Sequence, residues 1–260
     1  MMGRSINAAM HRMMKDKIFW FSVVFQIGFA LVVIIPTYGI GFSIGEGMLF
    51  ADSLISLFLS TIFVPFFLHC DYRDGIMRNK IMTGHTRAEI YSSNYISALT
   101  GSSIFLLTPI IIALILSPFF GGSLGAPPAE FAFRIMLSLA ANAAMCSIYV
   151  LTAFLCRNTG AAVSLIISFG MFIVSDFCTL NSVSPEEVTQ IFESVGMSFT
   201  LDPDGMLNRA LCSFLPTSHI VKASFNPPLQ EIALLPLYSL AVIAVAIGIG
   251  VLLFRKKELK

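Results

Sequence analysis

The sequence predicts an all-α polytopic membrane protein with six transmembrane helices and both termini on the same side. Three observations carry this. The 260-residue chain is 56% hydrophobic and only 12% charged, and its mean hydropathy of +0.84 is far above that of water-soluble domains. Charge-free apolar stretches of about 20 residues, the length needed to cross a bilayer, recur at 18–45, 53–70, 90–129, 135–156, 158–175 and 232–254. Lys and Arg are distributed asymmetrically between the segments joining these stretches, with 13 of the 16 on one side and only Arg134, Arg209 and Lys222 on the other. By the positive-inside rule the basic side is the cytoplasm, so N- and C-terminus are both inside, and Glu46, Asp52, Glu130, Asp176 and the acids of 181–231 are outside. The whole of 1–260 reads as one transmembrane domain.

Residues 1–17 place Ile6, Ala9, Met10 and Met13 on one helical face, with Arg4, His11, Arg12 and Lys15 largely off it. That spacing predicts a helix lying on the cytoplasmic membrane surface, its basic residues toward anionic head groups. The first apolar run is too long for the core of a signal peptide and reads as a retained span from Ile18 to Ile40, with Trp20 and Tyr38 near its two ends. Span two, Leu49 to Leu68, contains Pro65, and span three, Ile96 to Phe119, contains Pro109. Each proline removes one helical hydrogen bond.

Between them lies the one long polar island in the first half, DYRDGIMRNKIMTGHTRAEIYSSNY from Asp71 to Tyr95. Asp74 can cap a short helix from Gly75 to Thr83, which Gly84 ends by taking a left-handed conformation. Thr86 and Glu89 form a T-x-x-E capping box that starts the next helix. An amphipathic helix joined through a glycine turn to a membrane helix suits a part that is pushed from outside the bilayer and passes the push inward.

Span four, Phe133 to Leu155, carries Ala140, Ala144 and Ser147 at small-xxx-small spacing, and span five, Ala161 to Leu180, carries Ser164 and Ser168. Such faces let membrane helices approach closely. Arg134 and Asp176 lie near the outer ends of these spans; an ion pair between them would offset the cost of placing charge in lipid, about 2.5–3.5 kcal/mol for an unpaired group. The outer segment 181–231 carries two helix signals. Ser184-Pro185-Glu186-Glu187 begins one that ends at Gly196, and Asp202-Pro203 begins another whose stripe Leu207, Leu211, Phe214 runs to Pro216. These helices would lie in the outer interface or dip into it as a re-entrant element. Span six, Ile232 to Phe254, ends at the basic Arg255-Lys256-Lys257. Of five cysteines, Cys178 and Cys212 fall on or near the outer side; a disulfide between them is geometrically open, and small packing residues are the other reading.

The chain carries no catalytic, cofactor or metal signature. No Gly-Lys dipeptide occurs, so there is no phosphate-cradling loop. His11, His69, His85 and His219 are scattered, without metal-ligand spacing. The Glu186-Glu187 pair occupies the first turn of a loop helix, where the helix dipole accounts for it. Nothing in the charge pattern points to nucleic acid.

The order of parts, together with D-x-x-x-G-x-x-R-N-K-I-x-x-G-x-x-R-x-x-I-Y at Asp71, Gly75, Arg78, Asn79, Lys80, Ile81, Gly84, Arg87, Ile90 and Tyr91, resembles the permease subunit of type-2 ABC transporters. The resemblance implies that the stretch 71–92 is a coupling loop. It also implies that Asp74, Gly75, Arg78, Asn79, Lys80, Gly84, Arg87 and Glu89 face or shape the contact with a separate ABC ATPase, present in two copies and carrying the ATP and Mg. A second permease, identical or homologous, would complete the assembly in the lipid bilayer. The implied function is export of a hydrophobic or amphipathic substrate, such as a peptide antibiotic, drug or lipid. A stand-alone carrier or channel driven by an ion gradient is the alternative, and for Arg78, Lys80 and Arg87 simple positive-inside anchoring is the competing role.

Overall fold

A computed structural model describes residues 2–39, 46–116, 119, 127–156, 159–183, 206–224 and 232–256. Within them every regular element is a helix: α1 (Met2–Lys15), α2 (Lys17–Gly39), α3 (Glu46–Arg73), α4 (Ile76–Met82), α5 (Arg87–Leu116), α6 (Pro128–Leu155), α7 (Gly160–Val183), α8 (Met206–Phe214), α9 (Pro216–Ser224) and α10 (Leu235–Lys256). Five are long and apolar enough to cross a membrane, at Ile55–Arg73, Arg87–Leu116, Pro128–Leu155, Gly160–Cys178 and Leu235–Phe254. The first apolar run forms α2, whose described side chains give the shorter apolar helix Lys17–Val32. The helix expected from Ser184 to Gly196, with Glu186 and Glu187, lies outside the described residues.

Burial is inverted relative to a soluble bundle. Phe21, Val24, Phe66, Ile115, Ile166, Phe169, Leu240 and Leu252 are exposed, while Ser56, Ser60, Thr61, Asn94, Ser97, Asn142, Ser164 and Ser168 are buried. Large apolar side chains exposed on the outside, with polar side chains drawn in among an apolar core, is the arrangement a hydrocarbon solvent favours, since lipid cannot satisfy hydrogen-bonding groups. The membrane-embedded class of the protein thus rests on how the helices pack as well as on their length.

The central helix is α6, packed against α3, α5, α7, α9 and α10. Its small residues Ala144 and Ser147 are buried, and α7 presents Ser164 and Ser168 to it. Ser164 bonds Thr152 at 2.6 Å, and Ser168 meets both Tyr149 at 2.5 Å and Thr61 of α3 at 3.2 Å. Small hydroxyl side chains thereby tie three helices at close range, each such bond contributing about 0.6 kcal/mol in membrane proteins. Pro109 leaves the Phe105 carbonyl of α5 without its usual helical donor, and the hydroxyl of Ser56 on α3 donates to it at 3.1 Å. At Gly250 of α10 a Cβ would lie 2.2 Å from the Tyr91 hydroxyl, so only glycine lets this helix settle against α5.

Two further findings concern the ends of the chain path. Asp16 separates α1 from α2 and caps the latter, accepting the N–H of Ile18 at 2.9 Å. Pro216 ends α8 and opens α9, a helix buried against α3, α6 and α7.

Candidate functional site

One end each of α3, α5, α6 and α10 meets around a hub of aromatic rings. Phe154 contacts Tyr91 and Phe254 at 4.8 Å each and Tyr72 at 5.8 Å, centroid to centroid. Such pairs contribute about 0.5–1.5 kcal/mol each beyond their area. Helix α4 hangs beneath this hub, and its position is set by backbone chemistry at both ends.

At its start, Gly75 is the N-cap residue with φ +67° and no side chain caps the helix. Asp74 does not perform the capping role expected of it; its carboxylate instead accepts from Arg73 Nε at 3.1 Å on the exposed surface. The physical reason is the tightness of the reversal out of α3, which needs a left-handed residue directly before Ile76 and so turns Asp74 away. At the other end the His85 N–H donates to the Lys80 carbonyl at 3.1 Å and the Gly84 N–H to that of Ile81 at 3.0 Å, with Gly84 at φ +89°. This is the Schellman closure, and the left-handed Gly84 is where the sequence places it. The capping box also forms: the Thr86 N–H donates to Glu89 Oε2 at 3.1 Å and the Glu89 N–H to Thr86 Oγ1 at 3.2 Å.

Helical periodicity divides the α4 side chains into two sets. Met77 is buried and Ile81 packs against the core, whereas Arg78, Asn79 and Met82 are exposed, Met82 to 68%. Lys80 points inward. Burial pushes its ammonium below the ordinary lysine value, a shift partly offset by Asp71, and its Nζ makes no hydrogen bond. Asp71, fully buried at the end of α3, pairs with Arg12 of α1 at 2.5 Å. The Arg12 guanidinium also sits 4.9 Å above the Phe67 ring. Arg12, Asp71 and Lys80 therefore form one charge cluster joining α1, α3 and α4. The sequence signal for it is modest: an acid directly after an apolar run on the side where basic residues dominate.

Arg87 is likewise turned toward its own chain. Its Nη1 donates to the Phe254 carbonyl at 2.8 Å and its guanidinium lies 5.8 Å from the Phe254 ring, so it satisfies the carboxyl-terminal end of α10. Glu89 completes the cap and lies 3.5 Å from His85 Nδ1. Of the eight coupling residues expected from the sequence, Gly75, Lys80, Gly84, Arg87 and Glu89 thus shape or anchor the element, and Asp74, Arg78 and Asn79 face outward.

At the opposite end Arg134 is buried and pairs with Glu130 one turn earlier on α6, at 3.8 Å. The structure does not place it in an ion pair with Asp176, the partner favoured on charge and depth; the i,i+4 acid on its own helix is closer along the same face. His219 of α9 emerges as a residue the sequence does not single out. It is fully buried, with Nε2 2.8 Å from the Ser213 carbonyl and Nδ1 2.8 Å from Ser239 Oγ. A carbonyl only accepts, so Nε2 carries the hydrogen and Nδ1 accepts from the Ser239 hydroxyl. Burial holds this neutral ring at a pKa of about 4, and it ties α9 to α8 and α10.

Among the described residues no three His, Cys, Asp or Glu side chains converge to hold a metal. An open cleft of about 290 Å³ between α6, α8 and α10 is lined only by apolar side chains, including Ile148, Leu151, Phe214 and Val245. Fold and site together define the class: an all-α polytopic membrane protein with a structured polar element at one end of its spans. No protein-family model and no curated protein matches the chain.

Proposed function

We propose that the chain is the membrane-spanning permease subunit of a type-2 ABC exporter, with α4 as the helix that docks on a partner ATPase. The observation that carries this reading is the division of α4. Its outer face, Arg78, Asn79 and Met82, is free for a partner, while its inner face is held to the spans by the packing of Met77 and Ile81, with Lys80 turned toward the Arg12–Asp71 pair. A helix held on one side and open on the other can transmit a displacement. In this reading six spans place both termini in the bacterial cytoplasm, and two ATPase copies carry ATP and Mg. A second permease, identical or homologous, lines the path for a hydrophobic or amphipathic substrate.

Purification of the intact protein from its native operon tests it. The expected result is a co-purifying ATPase whose activity the permease stimulates; Arg78→Glu combined with Met82→Glu should abolish that association while leaving the thermal midpoint unchanged. Transport in liposomes driven by an ion gradient without ATP would instead establish a stand-alone carrier.

A further inference from the structure

We propose that Cys178 and Cys212 form a disulfide that fastens α8 to the outer end of α7. Both side chains are buried, both thiols are free in this structure, and the helices that carry them, α7 and α8, pack directly against each other, with each thiol in the other's electrostatic reach. Their backbones are held in place by independent contacts. Ser175, one turn before Cys178, donates to Thr217 at 2.7 Å, and Thr217 donates to the Met171 carbonyl at 3.1 Å. The Ser218 hydroxyl donates to the Cys212 carbonyl at 2.8 Å. The pair therefore bridges two elements that are already docked. Cys70 and Cys156, by contrast, sit at the inner ends of α3 and α6.

The inference rests on the outward placement of 181–231, because dithiols are oxidised outside the cytoplasm and kept reduced within it. The oxidant is a disulfide of the outer compartment, on an exchange protein or a small molecule. One cysteine thiolate attacks it to give a mixed disulfide, and the second thiolate displaces the acceptor. The chain gains one S–S bond as the acceptor loses one; the two protons leave the cysteines, and the two electrons reduce the acceptor to thiols. Since both sulfurs are buried once α8 is seated, exchange occurs while the loop closes.

The test uses the full chain in its native membrane, quenched with acid to halt exchange, denatured and labelled with a polyethylene-glycol maleimide with and without prior reduction. Three of the five cysteines should label before reduction and all five after it, and proteolysis should yield a linked peptide containing Cys178 and Cys212. C178S and C212S should each expose the remaining partner. Reductant should lower the thermal midpoint of the native protein and leave that of C212S unchanged. Five labelled thiols before reduction, or linkage between other cysteines, overturns the bond. In a C178S/C212S background, an impermeant maleimide on Glu193→Cys reports the side of the loop. External labelling with free native thiols defeats the disulfide alone; labelling only after permeabilisation defeats the outward orientation and the disulfide with it. Co-purification of the ATPase is read separately from both.

Discussion

Asp71 is fully buried, and its charge is tolerable because Arg12 lies 2.5 Å away. Removing one member of a buried pair leaves the other uncompensated, a loss of about 3–5 kcal/mol. Arg12 keeps 28% of its side chain exposed, so the cost falls at the lower end. Asp71→Leu is expected to lower stability by about 3 kcal/mol in detergent unfolding, and adding Arg12→Met should recover part of it; strictly additive costs would show that the two residues are not coupled. His219 gives a pH dependence of defined sign. Its folded pKa of about 4 lies below the ordinary histidine value of 6.5, so between these pH values the unfolded chain binds more protons. Stability is then unaffected above about pH 6.5 and falls as pH drops toward about 4, by up to about 3 kcal/mol. His219→Gln should flatten that slope in thermal unfolding at pH 4.5 to 7.5, and an unchanged slope would assign it to other groups.

At the scale of elements, α4 illustrates how a seven-residue helix, too short to persist alone, is made definite by its ends. Gly75 and Gly84 both lie in the left-handed region, and a Cβ at either would meet no neighbour within 4 Å. The restriction is therefore in the backbone. Gly84→Val should cost about 1–2 kcal/mol locally and reduce coupled ATPase stimulation while membrane insertion stays normal. Gly84→Asn, which tolerates the left-handed region, should retain most of it. Normal stimulation by the Val variant would remove the hinge role. Helix α9 shows the same dependence on its ends: Pro216 supplies a preset first-turn φ, and His219 then clamps the helix to α8 and α10.

Among the described residues of the whole molecule, many large apolar side chains are exposed, while several hydroxyl groups are buried and bonded between helices, as suits a hydrocarbon solvent. The basic residues collect at the end that bears α4, which the positive-inside rule assigns to the cytoplasm. A reporter fused after Lys260 should accordingly be active only in a cytoplasm-dependent form, and one inserted near Glu193 only in an export-dependent form. The reverse pattern would invert the molecule and place α4 on the outside.

Helix existence, the Gly84 turn and the Thr86–Glu89 capping box could all be read from the sequence, because each is set by residues within a turn or two of one another. The partners of charged residues could not. Arg12 and Asp71 are 59 positions apart, Arg87 reaches Phe254 across 167, and Lys80 looks like any cytoplasmic anchor until α4 is seated. The choice of Glu130 over Asp176 for Arg134 likewise depends on helix rotation, which local periodicity leaves free to within a residue. By itself the sequence determined that the chain is helical, membrane-embedded and carries a polar element between its second and third apolar runs, since hydropathy and caps are local properties. The tertiary structure alone decided which face of that element is open. That face depends on a buried charge cluster assembled from three helices, and only their packing brings those charges together.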